Sequence, residues 1–293
     1  MAVRKLLPGQ TCQIWTAGPA GGDPVRRFET FRYRLESPNW LSSGDALICN
    51  ADGLLWRLSL SPVSRLDRIE IGGGQQFNND HVLDPDGEHI YLSAYDRQIY
   101  RAPVRGGAAE LVTKDPSVPV LHFLHGVRPG GDRLAFIGLP AAPGDRPAHG
   151  DVYTMSTTGG DYHRLTSGPG HSDGCEYSPD GEWLYFNTEM FDGHAQIARI
   201  RPDGAGLEQL TFDDQVNWFP HLSPDGRWAM YIAFPPGTRG HPANVEIDVK
   251  VVALDDWSSA TTRAHVLGGQ GTLNTSSWAP DSSAFAYVSY PIG

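Results

Sequence analysis

The residues best suited to chemistry in this chain are its histidines. Eight of the eleven stand in segments that lead into an apolar strand or in the long loops beside them: His81, His122, His125, His149, His171, His194, His221 and His241. Imidazole is the usual general base near neutral pH and a common metal ligand. Asn78, Asn79, Asp80, Asp96, Arg97, Asp173, Glu176, Glu189, Asn217, Arg239, Asn244 and Asn274 occupy comparable positions. Polar groups converging on one mouth are what a ligand pocket needs. The expected contacts to a small polar ligand or a protein partner are His81, His125, His171, Asp173, Glu176, Asn217, His221, Arg239 and His241. His81, His125 and His221 come from three different strands and are the candidates for holding a divalent metal in a central channel. The close pair His122 and His125 cannot act as one chelate, because a separation of three on a strand sends the side chains to opposite faces.

Other motifs carry less. Residues 170–174, GHSDG, match the nucleophile-elbow pattern, but a strand and a tight turn follow where a helix is required. Gly72-Gly73-Gly74 lacks the helix and downstream acid of a dinucleotide fingerprint. Asn274-Thr275-Ser276 fits a glycosylation sequon, which has consequences only in a secreted chain.

The elements that must position the histidines come from six copies of one unit: apolar strand, tight turn, apolar strand. The turns centre on Gly44, Gly87, Gly131, Gly181, Gly226 and Ser282, at spacings of 43, 44, 50, 45 and 56 residues. That is the period of four-stranded propeller blades. After five of the turns comes a hairpin of alternating strands, as in QIYRAPVRGGAAELV at 98–112 and QIARIRPDGAGLEQLT at 196–211. The sixth turn has none. A matching hairpin, QIWTAGPAGGDPVRRF at 13–28, instead precedes the first turn. The N-terminal segment is therefore expected to supply the outer strands of the last blade and close the ring, which removes an exposed sheet edge. The fold class is all-β, a six-bladed β-propeller of four-stranded antiparallel blades, and residues 1–293 form one domain.

These repeats resemble the TolB-like propeller family, through FPHLSPDGRWAMY at 219–231, EYSPDGEWLYF at 176–186 and SWAPDSSAFAYVSY at 277–290. The resemblance covers essentially the whole chain and implies the fold, not an activity, because propellers host unrelated functions. GTRGHPANVEIDVKVV at 237–252 and LGGQGTLN at 267–274 look like a subgroup of bacterial proteins within that family. The envelope role of TolB is not carried over, since no signal peptide or extra N-terminal domain is seen. Oligogalacturonate lyases share this type of repeat and hold manganese with histidines and a glutamine. Their nearest counterpart here is QVNWFPHLS at 215–223, where aligning the turns places the family's histidines on Asn217 and Phe219. A metal-dependent carbohydrate-active enzyme is thus the alternative to a non-enzymatic binding protein.

On this scheme the histidine-bearing segments share one rim, and two long loops, 138–151 and 233–248, rise from it. Loops of this length often act as lids or binding loops. Folding the second inward would bring His241 to the side of the mouth where His221 begins its blade, and neither is expected to carry a structural duty. A formal charge of −11 argues against a nucleic-acid partner, and no apolar stretch approaches the roughly 20 residues of a membrane span. Three cysteines in or beside apolar strands read as buried, reduced thiols. The expectation is a cytoplasmic monomer.

Overall fold

The computed structural model describes residues 3–114, 120–140 and 149–293, and among these there is no helix. Blade 1 comprises Glu36–Trp40, Ala46–Ala51, Leu54–Ser59 and Leu66–Ile69; blade 2, Phe77–Leu83, His89–Ala94, Ile99–Pro103 and Glu110–Leu111. Blade 3 is built from Val120–Val127, Arg133–Pro140, Asp151–Ser156 and His163–Arg164, and blade 4 from Ser172–Tyr177, Leu184–Thr188, Gln196–Ile200 and Glu208–Gln209. Blade 5 has Val216–Leu222 and Trp228–Phe234 inside, with a long outer hairpin, Ala243–Ala253 and Asp256–Gly269. All pairings within these blades are antiparallel, and a two-residue parallel contact, Ile71–Gly72 with Gly107–Ala108, ties blade 1 to blade 2.

The turn inside each blade has one cause throughout. The amide at the turn glycine donates to the carbonyl three residues earlier, as from Gly181 to Ser178 at 2.8 Å and Gly226 to Ser223 at 2.9 Å. The glycines take φ near +70°, which costs them little. Ser282 holds the same conformation at φ 61°. In the Ser-Pro-Asp-Gly copies the serine hydroxyl also accepts from the amide that opens the next strand, Trp183 or Trp228.

The ring closes as the sequence predicts. Cys12–Ala17 pairs with Phe285–Ser289 on one side and Val25–Thr30 on the other. The innermost segment of this sixth blade is irregular: it joins the sheet through the Trp278 and Phe285 bridge and through bonds from Ala286 to Ser277 and Val288 to Thr272. Apolar cores fill the wedges between neighbouring blades. Ile14 and Val288 of blade 6 pack with Leu47 and Leu58 of blade 1, and Trp218 and Ile247 of blade 5 with Trp278 and Phe285 of blade 6.

Deleting residues 1–30 is expected to unfold the whole ring. Cys12, Ile14 and Ala17 are almost fully buried, and each large apolar side chain contributes about 1.5–3 kcal/mol on burial. Their loss, together with an unpaired Phe285–Ser289 edge, is comparable with a domain's net stability of about 5–15 kcal/mol. Circular dichroism and thermal melting check this; a cooperative melt at the parent temperature would overturn the closure.

Candidate functional site

The site is made by a defect repeated in every regular inner strand. The ladders between first and second strands of blades 1 to 5 each contain a register shift: within Glu36–Asn39, Phe77–His81, Leu124–Gly126, Asp173–Glu176 and Trp218–His221. Such bulges bend a strand and re-aim its side chains. In blades 1, 4 and 5 a residue seven positions before the turn is left-handed: Ser37 at φ 52°, Gly174 at 63° and Phe219 at 57°. Phe219 is fully buried in this unfavourable conformation, and its amide donates to Asn187 Oδ1 at 3.1 Å. A Cβ on Gly174 would come within 2.9 Å of the Phe219 ring. Blades 4 and 5 can therefore approach this closely only with glycine there.

The bulges of blades 2 to 5, with the irregular inner segment of blade 6, bring side chains to one cavity of about 170 Å³ at the rim. Asp80 comes from blade 2, His125 from blade 3, Asp173 from blade 4, Phe219 from blade 5 and Asn274 from the inner segment of blade 6. Phe123, Ile137 and Leu139 form an apolar wall, and His171, His241 and Gln270 complete the lining. The loop after Phe234 does fold inward: the His241 ring sits 4.3 Å from Trp218 and 5.2 Å from Phe219, centroid to centroid.

Asp173 organises the polar half. Its Oδ1 lies 2.9 Å from His125 Nε2 and its Oδ2 3.3 Å from His171 Nε2. Burial works against the Asp173 carboxylate, yet the two imidazoles outweigh it and hold it well below the usual carboxylate range. Burial likewise opposes a charge on His125, but hydrogen bonding and attraction from Asp173, with Asp80 adding, push its pKa up. His171 is also raised by Asp173 against the effect of burial, while the Gly150 amide donates to its Nδ1 at 2.8 Å and favours the neutral tautomer with hydrogen on Nε2. Burial drives His241 down to about 4, so it is neutral, and its Nδ1 is buried without a hydrogen bond. Burial raises Asp80 to about 6, with Asp173 adding and His125 opposing. His125 Nδ1 faces the Asn274 backbone without making a bond of normal geometry.

Four of the nine expected contacts meet here: His125, His171, Asp173 and His241. The others do not line the cavity. His81 is fully buried with neither ring nitrogen bonded, and burial lowers it to about 4. His221 has the structural duty that it was expected to lack: Nδ1 lies 2.6 Å from Glu176 Oε2 and Nε2 3.3 Å from the Leu273 carbonyl, while its own carbonyl accepts from Trp278. Glu176 also accepts from the Leu222 amide, so this pair bolts blades 4, 5 and 6 together. Asn217 donates to Gln196, Thr211 and Asp213 and ties blade 5 to blade 4. Arg239 is exposed on its loop. Residues 141–148, most of the other long loop, lie outside the described residues. His81, His125 and His221 do not converge on one ion, and among the described residues no group of three or more His, Cys, Asp or Glu could hold a metal.

Asp80 stands among the rim's polar residues but not among the nine expected contacts, and the aromatic wall has no signal in the sequence analysis beyond register: Asp80 and Phe219 stand seven residues before a turn glycine, as Ser37 and Gly174 do. Also unforeseen is the buried cluster beside the channel in which Arg4 and Arg34 both bond Glu36, at 2.7 and 3.0 Å. Arg34 stacks on Tyr290 at 3.6 Å and reaches Asn244 and the Gln270 carbonyl.

No protein-family model matches the chain. An uncharacterized protein of Agrobacterium fabrum, Atu1656, is 36% identical over 261 residues, covering 87% of this chain and 85% of that one. A solved structure from Agrobacterium tumefaciens, designated a candidate TolB, superposes with a TM-score of 0.88 at 33% identity, covering 96% of this chain and 99% of that one. An oligogalacturonate lyase in complex with manganese superposes at 0.58 with 13% identity, covering 91% and 75%, a likeness of fold alone.

His81 and His221 should respond oppositely to substitution. The His81 pKa near 4 against an ordinary 6.5 means the fold favours its neutral form, a contribution complete above pH 6.5 and lost as pH falls towards 4. The full span is worth roughly 3 kcal/mol. His81→Leu is expected to leave stability at pH 7.5 equal or higher, since it removes two unbonded nitrogens, and to flatten the acid limb by about that amount. His221→Ala should cost about 3 kcal/mol or more at neutral pH by leaving the Glu176 carboxylate without its partner. Urea unfolding of both variants from pH 4.5 to 8 checks the pair.

Proposed function

Because the chain belongs to the TolB-like family of six-bladed β-propellers, a fold whose bladed ring leaves a central mouth free for recognition, we propose that it is a non-enzymatic binding protein whose working part is this cavity. It takes a small molecule with an apolar body against Phe123, Ile137, Leu139 and Phe219 and a polar head towards Asp80, His125 and Asp173. One observation carries the reading: two buried ring nitrogens in the cavity lining, His125 Nδ1 and His241 Nδ1, have no hydrogen-bond partner. Buried polar groups are normally satisfied, and a space this size admits either several waters at about 30 Å³ each or a small ligand.

The strained Phe219 backbone and the buried Asp173 bridge support the same reading, because both fix a site in advance of binding. Free, buried Cys12, Cys49 and Cys175 are consistent with action in a reducing compartment, and we propose a cytoplasmic monomer. The alternative of a metal-dependent sugar enzyme has no ligand set among the described residues to support it.

A thermal-shift screen of small polar metabolites, repeated on Leu139→Trp, tests the proposal. The enlarged side chain fills the apolar half of the cavity without altering a charged group. Compounds that stabilise the unaltered protein are expected to lose at least tenfold in affinity on the filled variant while it still melts cooperatively. Hits that bind both forms equally would place recognition elsewhere.

A further inference from the structure

The register-shifted segments of the first strands of blades 1, 2 and 4 carry four carboxylates, and three have a cationic partner or an imidazole within ion-pair distance. Glu36 is held by Arg4 and Arg34, Asp173 by His125 and His171, and Glu176 by His221. The fourth, Asp80, is 5% exposed and lines the cavity, yet among the described residues it has no ion-pair partner. Its side chain accepts one bond, from Asn78 Nδ2 at 2.8 Å. Buried charges in folded proteins are paired or bound to a ligand, so this carboxylate marks what the cavity lacks.

The neighbouring polar groups have the same bias. Asn274 gives its Nδ2 hydrogen to Gln270 Oε1 and accepts from the Gly271 amide, so each side-chain oxygen already takes one bond and keeps acceptor capacity. His241 is neutral, with an unbonded Nδ1. Arg97 stacks on the Phe123 ring at 5.7 Å and is not part of the lining. His125 and Arg4 attract Asp80 only from beyond ion-pair distance, and His125 and His171 are already paired with Asp173, so Asp80 is left among acceptors without a cation in contact.

We infer that the ligand is a small organic cation, an alkyl- or arylalkylammonium whose charged nitrogen pairs with Asp80 while its apolar body lies against Phe123, Ile137, Leu139 and Phe219. This rests on the cavity being a ligand site, as proposed above. The ammonium supplies three donors to a pocket of acceptors and restores the missing countercharge.

Three molecules of nearly one shape separate the outcomes: 2-phenylethylammonium, 2-phenylethanol and phenylacetate. Isothermal titration calorimetry of the full-length protein at pH 7.5 is expected to show the ammonium binding at least tenfold tighter than the alcohol, and phenylacetate weakest. Asp80→Asn, which keeps the side-chain shape, should bring the ammonium and the alcohol within about twofold of each other, with the melting transition retained. If the alcohol or phenylacetate binds the unaltered protein as tightly as the ammonium, the cavity is a ligand site and the charge preference is wrong. If none of the three binds, the inference is wrong, and the Leu139→Trp comparison decides the cavity reading separately. Should Asp80→Asn fail to fold, the ranking on the unaltered protein decides the matter alone.

Discussion

Everything in this molecule depends on the pairing of Cys12–Ala17 with Phe285–Ser289. A blade buries its faces only against its two neighbours, so an open array would expose a flank at each end. Bringing the N-terminal strand into the last blade removes both flanks at once. It also brings Arg4 and Gln10 beside the channel, where Arg4 bonds Glu36 and Gln10 donates to Asn244 and the Tyr290 carbonyl. Closure and the electrostatics of the mouth are one arrangement, because the chain end that seals the ring also carries a cation to the buried acid of blade 1.

Given a closed ring, the bulges decide which polar residues work and which merely hold. Inner strands converge, and a regular ladder would send alternate side chains into the wedges between blades. One extra residue, or two in blade 2, disturbs that alternation once in each of blades 1 to 5, at a similar height before the turn. His125 stands within such a bulge and reaches the cavity; His221 stands at the end of one and turns to Glu176 and the next blade. Two histidines of similar sequence setting thus take opposite roles through a one-residue difference in register.

This explains how far the sequence could be read. The turns were legible because their chemistry is local: a glycine at φ near +70° and a serine or aspartate bonding the backbone two or more residues on. Ring closure followed from pattern, since the hairpin missing after Ser282 is found at residues 13–28. The gathering of His125, His171, Asp173 and His241 was legible as a shared rim. The exclusion of His81, His221, Glu176 and Asn217 was not, because it depends on bulge position and on partners 21 to 52 residues away, to which no local motif points. Asp80 reads in the sequence as one polar group of the rim among many, because its significance lies in the partner it lacks.

The contrast between Asp173 and Asp80 shows how one buried surface can support opposite carboxylates. Both lie in the same cavity wall and both lose water on burial. Asp173 recovers that loss from two imidazoles whose orientation is fixed by Gly150 and by the stacking of His125 on Phe219 at 5.9 Å. Asp80 recovers little of it, and its pKa moves up to about 6 as a result. The protein has therefore built one carboxylate as a rigid strut and left the other undercompensated within a few ångströms of open space. A fold that needed only stability would gain by replacing Asp80 with a neutral residue. Its presence beside an apolar wall fits a countercharge that arrives from outside.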